Sequence, residues 1–270
     1  MGSPRFTRRS LLRLGGCGLL SATAGCLAES GENDESQTTS NRALSMGEKA
    51  TRPNDMFLRL SDPKVNKLIS TLDVGATGHV YPAGYSNSQF LTLSVQSGGT
   101  PYSDIQLSPM IDGERYESQT YRHGFSPENP APLSVEVPLA QAERAAIEWQ
   151  PSADETYRWE LPQSVVEQFH SEPRFSVTEF SVPDTVERGE PFTVRLSVSN
   201  TGDRDGRFLG VVLGTGPSSL PLVSTFSFPV PVGETVSREL SGRTNTEKSS
   251  MTAILDWGLG EKRASFSVSE

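Results

Sequence analysis

The last third of the chain alternates apolar and polar residues with a period of two. Across residues 191–199, Phe192, Val194, Leu196 and Val198 share one side, while Thr193, Arg195, Ser197 and Ser199 share the other. Such a period marks a half-buried strand, because successive side chains on a strand point to opposite faces. Just upstream, Phe175 and Val177 have one parity and Phe180 and Val182 the other. The slip at Thr178-Glu179 predicts a bulge, or a first strand that switches sheets. Further apolar runs fall at 208–213, 225–228, 235–240, 251–257 and 264–268. Seven short strands separated by turn residues predict an antiparallel β-sandwich over 173–270.

Residues 56–172 are less regular but also rich in strand signals. In 90–95, Leu91, Leu93 and Val95 alternate with Thr92 and Ser94, and the run stops at Gly98-Gly99. Residues 105–111 predict a second strand, which turns at Asp112-Gly113 into 114–116 as a hairpin. Runs at 133–137, 145–149 and 157–161 complete the set, and Trp149 and Trp159 are assigned to the core. A short helix is expected after Asp62-Pro63, with single helical turns in 139–144 and 164–169. The segment 90–98 echoes 192–202, so this region is either a duplicated sandwich or a different β fold. Residues 27–55 are polar, acidic and almost free of large apolar side chains, which predicts a solvated tether. The expected fold class is all-β: two antiparallel β-sandwich domains after a signal segment and a disordered linker. The expected divisions are 1–25, 26–55, 56–172 and 173–270.

The N-terminus has a different character. Four arginines and no acid precede Cys26, and a mostly apolar run spans 14–24. This is a charged region, a short apolar region and a small-residue cleavage site. The run is shorter than the ~20 residues that span a bilayer. As a buried helix it would carry Gly15, Gly16, Gly18 and Gly25, at roughly 1 kcal/mol each. The stretch Thr7-Arg8-Arg9-Ser10-Leu11-Leu12 resembles a twin-arginine export motif, with Arg8 and Arg9 as its pair. Thr23-Ala24-Gly25-Cys26 resembles a lipobox. The two resemblances imply a mature chain that begins at a lipidated Cys26, anchored at the outer face of the cytoplasmic membrane and exposed to the exterior. A single acyl chain binds membranes only marginally, so such an anchor implies two chains or a second signal. Lipoproteins of this kind are abundant in halophilic archaea.

A second resemblance covers the last third. Val182-Pro183, Gly189-Glu190, the alternating strand, Asn200-Thr201-Gly202 and Val232-Gly233-Glu234 are similar to the cell-adhesion-related (CARDB-like) domains. That family implies an immunoglobulin- or fibronectin-like sandwich, and its motifs are structural rather than catalytic.

Charge narrows the list of partners. Without the four arginines of 1–25, 20 basic residues face 33 acidic ones, a formal charge of −13. Only five lysines accompany 19 arginines. This acidic, lysine-poor composition suits a high-salt surface, where self-repulsion is screened. No basic stripe is available to displace counterions from nucleic acid, so nucleic acid is not an expected partner. Cys17 lies in the signal and Cys26 is the lipid site, which leaves the mature chain without a disulfide despite an exported location that would permit one.

Catalytic motifs are scarce. There is no Gly-x-Ser-x-Gly elbow and no phosphate loop. His79, His123 and His170 share no motif, so no metal and no cofactor are expected. Residues 202–206 contain Asp-x-Asp-Gly, an oxygen spacing that suits calcium. Arg204 sits between the acids, however, and Asp and Gly favour a plain polar turn, which is expected here. All six tyrosines precede residue 173. The stretch 115–125 combines Arg115, Tyr116, Tyr121, Arg122, His123 and Phe125, a basic and aromatic spot on an acidic chain. Tyrosine suits binding surfaces because its ring is apolar and its tip polar, although ordinary strand packing would use the same residues. The expected function is a membrane-anchored, non-catalytic binding or adhesion-like module with a protein or glycan partner at the cell surface. The alternatives are a glycan-directed hydrolase with paired carboxylates in the first domain, and a structural component of the envelope.

Overall fold

A computed structural model describes residues 40–72, 80–123, 132–215, 221–244 and 246–270. Arg8, Arg9, Cys26 and Phe125 lie outside the described residues.

The first sandwich runs from β1 to β12: β1 (Ser40–Ser45), β2 (Lys49–Thr51), β3 (Phe57–Asn66), β4 (Leu68–Leu72), β5 (Val80–Gly84), β6 (Ser88–Gly98), β7 (Leu107–Ile111), β8 (Glu114–Arg115), β9 (Thr120–Arg122), β10 (Pro132–Pro138), β11 (Ala145–Ser152) and β12 (Glu155–Glu160). One sheet has the order β1-β12-β11-β7-β8, the facing sheet β2-β3-β6-β10-β9, and β4-β5 form a separate hairpin. The core lies between the sheets, where Leu91, Leu93, Val95, Leu133, Val135, Ile147 and Trp159 are buried. The Asp112-Gly113 turn forms as expected, with φ of 51° and 88° and β7 antiparallel to β8.

Three expectations change here. The stretch 40–55, read as part of a solvated tether, contributes β1 and β2. Its few apolar residues are well used: Leu44 is 6% exposed and Ala50 fully buried. Its backbone is held by aromatic tips from β12. Trp159 Nε1 donates to the Glu48 carbonyl at 3.1 Å and the Tyr157 hydroxyl to the Thr51 carbonyl at 3.2 Å. The helix expected after Asp62-Pro63 is instead a bulge within β3, with Asp62 at φ 49° and a register shift between Ser61 and Lys64. One extra residue flips strand parity, so Val65 shares the core with Leu58 and Leu60. Residues 139–144 form no helical turn, whereas α1 (Gln163–Val166) and a 3-10 turn at Glu167–His170 fall where the later turn was expected.

The second sandwich follows with β13 (Phe175–Ser181), β14 (Thr185–Glu187), β15 (Pro191–Asn200), β16 (Gly206–Gly214), β17 (Pro221–Val230), β18 (Thr235–Arg243), β19 (Ser250–Asp256) and β20 (Glu261–Ser269). Its sheets have the orders β13-β15-β18 and β14-β20-β19-β16-β17. The slip read at Thr178-Glu179 is a bulge between Val177 and Glu179, and the chain then crosses to the other sheet as β14. β14 escaped the sequence pattern because Val186 is its only apolar residue. The core is phenylalanine-rich, with Phe192, Phe208, Phe228 and Phe266 buried beside Val194, Val198 and Leu255.

The two sandwiches share one strand order. β3-β6-β10 matches β13-β15-β18, and β12-β11-β7-β8 matches β20-β19-β16-β17. In each, an early strand pairs in parallel with the last: β1 with β12 and β14 with β20. This is the arrangement of immunoglobulin- and fibronectin-like sandwiches. At the edge beyond β10 the first sandwich adds β9, and no described strand adds to β18. Arg238 stands opposite the core residue Leu196 on that edge, its guanidinium 5.3 Å from the Phe228 ring centroid. An inward-facing charge on an edge strand discourages pairing with other chains.

Candidate functional site

Core residues of β6 and β10 take alternate positions, so Phe90, Thr92 and Ser134 face the other side of that sheet. Phe90 is fully buried there under two tyrosines. The Tyr121 ring meets it edge-on at 5.3 Å and the Tyr85 ring tilts over it at 5.7 Å. The two hydroxyls are 3.0 Å apart. Burial, and then the bond to Tyr85, raises the Tyr121 pKa above the usual phenol range, so this hydroxyl stays protonated at ordinary pH. Tyr85 is 43% exposed, rare for a large apolar residue in this fold.

Beside the tyrosines, His123 bridges the β4-β5 hairpin to the sheet. Its Nδ1 lies 3.2 Å from Ser70 Oγ and its Nε2 2.7 Å from Ser134 Oγ. The chain continues from Ser134 to Thr92 at 2.7 Å, and Asn66 Nδ2 donates to Thr92 Oγ1 at 3.0 Å. Burial lowers the His123 pKa below its ordinary value, so the ring is neutral at pH 7. Ser134 is fully buried, and its hydroxyl serves as a link between strands.

A second constellation lies where the sandwiches meet. Leu68 of β4 is buried in the second core. Next to it, Lys67 is 5% exposed; its ammonium donates to the Ser86 and Ser88 carbonyls at 3.1 and 3.0 Å and pairs with Glu172. Three acceptors match its three N–H groups. Glu172, 7% exposed, also accepts from Arg174 at 3.3 Å. From the other side comes Arg204: Nε donates to the Ser171 carbonyl at 3.1 Å, Nη1 to the Val65 carbonyl at 3.2 Å and Nη2 to Gln89 Oε1 at 2.8 Å. Its loop is shaped by Asn200, 1% exposed. Asn200 Oδ1 accepts from the Arg174 and Gly202 amides, and its Nδ2 donates to the Arg204 and Val230 carbonyls. A Cβ on Gly202 would lie 2.2 Å from the Glu172 carbonyl oxygen. The Asn-Thr-Gly motif therefore supplies a side chain that satisfies four backbone groups and a residue that lets two backbones touch.

The sequence-derived residues do not form one spot. Arg115 lies on β8 and donates to Gln150 Oε1 and Ser108 Oγ, on the sheet opposite β9. Tyr116 packs partly buried against the first core. Arg122 donates to the Tyr102, Ser103 and Ile105 carbonyls and pins that turn. Tyr121 and His123 do stand near each other, with partners the sequence did not single out: Ser70, Phe90, Thr92 and Ser134. Asp203 and Asp205 lie in the loop between β15 and β16. The Asp203 amide donates to the Glu172 carbonyl, and Asp205 Oδ1 accepts from the Val232 amide at 2.9 Å. The junction residues Lys67, Gln89, Glu172 and Arg204 were not found from sequence. One signal was present: a lone lysine between Val65 and Leu68-Ile69 in a chain with five.

No protein-family model matches the chain, and no curated protein matches it. Among solved structures, the beta-glucosidase from Listeria innocua in complex with isofagomine is similar over 37% of this chain and 16% of its own, at 16% identity and TM-score 0.30. The Beta-D-glucoside glucohydrolase from Trichoderma reesei is similar over 36% and 19%, at 15% identity and TM-score 0.29. The titin domains z1z2 in complex with telethonin align over 67% and 87%, at 15% identity and TM-score 0.18. The aligned part spans less than a fifth of either glycosidase, and no activity follows from these likenesses.

Proposed function

We propose that this chain is an exported lipoprotein, anchored through Cys26 at the outer face of the cytoplasmic membrane, whose folded part is a non-catalytic binding module. Export and anchoring rest on Arg8-Arg9 and the lipobox-like Thr23-Ala24-Gly25-Cys26. The observation that carries the binding reading is the Tyr85–Tyr121 pair. An aromatic side chain that is 43% exposed, propped on a fully buried Phe90 and tied by a hydroxyl bond, is a preorganised anchor. Such rigid aromatics supply much of the binding energy where proteins meet macromolecular partners. The second sandwich, clamped through Lys67 and Arg204, serves as a spacer that moves with the first.

The test is a cross-linked pull-down from intact cells with the full-length protein, a Cys26→Ser form and a Tyr85→Ala/Tyr121→Ala form. A partner recovered stoichiometrically with the parent, and lost with the tyrosine variant at unchanged melting temperature, is the expected result. Undiminished recovery by that variant overturns the binding surface. A Cys26→Ser protein that stays in the membrane fraction overturns the anchor.

A further inference from the structure

At the junction, a cleft of about 210 Å³ opens between the end of β3 and the loop entering β16. Sites for drug-sized molecules run from ~300 to 1,000 Å³, so this one suits a smaller occupant. Its charge runs against the rest of the molecule. Lys67, Arg204 and Arg207 line it against a single acid, Asp205, on a chain with 33 acids and 24 bases. Lys67 is already matched by Glu172 and two carbonyls, and Asp205 accepts from the Val232 amide. A neutral amide leaves the Asp205 charge in place, so with Lys67 paired the two arginines against that one acid give the cleft a net positive charge. A guanidinium has five N–H groups. Arg204 commits one from each nitrogen to the first sandwich. Arg207, exposed on β16, commits Nε to Ser227 Oγ at 3.2 Å. Burial lowers the Arg204 pKa, opposed by the attraction of Glu172.

We propose that this cleft binds a small free oxyanion, a carboxylate or phosphate, between the guanidinium groups of Arg204 and Arg207. Planar guanidinium forks match the oxygens of either group with paired, charge-assisted hydrogen bonds. Both arginines belong to the second sandwich and Arg204 is also bonded to the first, so the occupant braces the side chain that already spans the junction.

The test uses the full chain at constant ionic strength. Titration calorimetry with inorganic phosphate and with acetate should give a saturable heat for at least one, and that anion should raise the melting temperature with occupancy. Arg207→Ala should weaken binding at least tenfold while melting as the parent does in chloride, because its side chain is exposed. Arg207→Lys, which keeps the charge without the fork, should fall between. No saturable heat with either anion overturns the proposal. Equal affinity in the parent and Arg207→Ala overturns it too, by showing a general salt effect.

Discussion

The two sandwiches share a strand order and are filled and connected differently. In the second, β13 reaches β15 by a short path through β14, and the fully enclosed aromatic residues are all phenylalanines, set among more numerous valines. In the first, the equivalent path from β3 to β6 carries the β4-β5 hairpin, and the interior holds Trp149, Tyr157 and Trp159, with Tyr157 and Trp159 also donating hydrogen bonds. The hairpin pads the second sandwich, places Lys67 in the junction and brings Ser70 to His123. The same strand order in the sheets thus goes with a plain sandwich in one case and, by a single extended connection, with a clamp and a polar-aromatic face in the other. Changes in the connection therefore affect both sandwiches, whereas changes in either exposed face stay local.

The strongest way to break this pairing is Lys67→Met. Removing one partner of a buried ion pair costs about 3–5 kcal/mol, and the remaining contact of Glu172 with Arg174 puts this loss toward the lower end. The pair is buried, with side chains 4% and 9% exposed. Calorimetry should show one cooperative transition in the parent and two in the variant, as the sandwiches unfold separately. By contrast, Arg195→Ala removes an ion pair about two-thirds exposed on the second sandwich, and should cost under about 1 kcal/mol. A single transition retained by Lys67→Met would show that the apolar hairpin contact alone couples the sandwiches.

Gly202→Ala attacks the same junction from the second sandwich. Its Cβ would press on backbone atoms of Glu172 and Arg174 at 2.2 and 2.4 Å, which side-chain rotation cannot relieve. A loss of about 1–3 kcal/mol is expected, measurable by urea unfolding, with faster amide exchange at Arg174 and Thr201. Wild-type stability in this variant would show that the linker backbone can withdraw without loss.

The smallest effect separates the sandwiches by pH. All three histidines precede residue 173, and His123 has a folded pKa below the ordinary 6.5 because it is buried. The unfolded chain then binds more protons than the folded one as pH drops below about 6.5, so stability falls with falling pH in that window and is fully present above it. His123→Gln should flatten this acid-side slope. An unchanged slope between pH 7 and 5 would place the sensitivity on other groups.

Legibility from sequence followed local pattern. The alternating strand 191–199, the bulge at Thr178-Glu179, the Asp112-Gly113 hairpin and the burial of both tryptophans 149 and 159 were all readable, because each is fixed by period, parity or turn chemistry. Strands β1, β2 and β14 were not, because each carries few apolar residues and gains its place from a neighbour. The tyrosine face was half readable. Residues 115–125 drew attention to Tyr121 and His123, but Arg115 falls on the opposite sheet and Arg122 is consumed by a turn. The junction stayed hidden because its members, at 67, 89, 172 and 204, are separated by stretches in which no spacing rule operates.

By itself the sequence determined the class of fold, the phase of its clearest strands and the acidic composition, since these depend on residue counts and on periods of a few residues. Only the tertiary structure decided which polar residues are buried, that a polar N-terminal stretch is taken up as sheet, and that Arg204 in an acidic turn reaches the other sandwich. The cost of burying a charge or a backbone amide depends on whether a partner arrives from elsewhere in the chain, and that partner is chosen by topology.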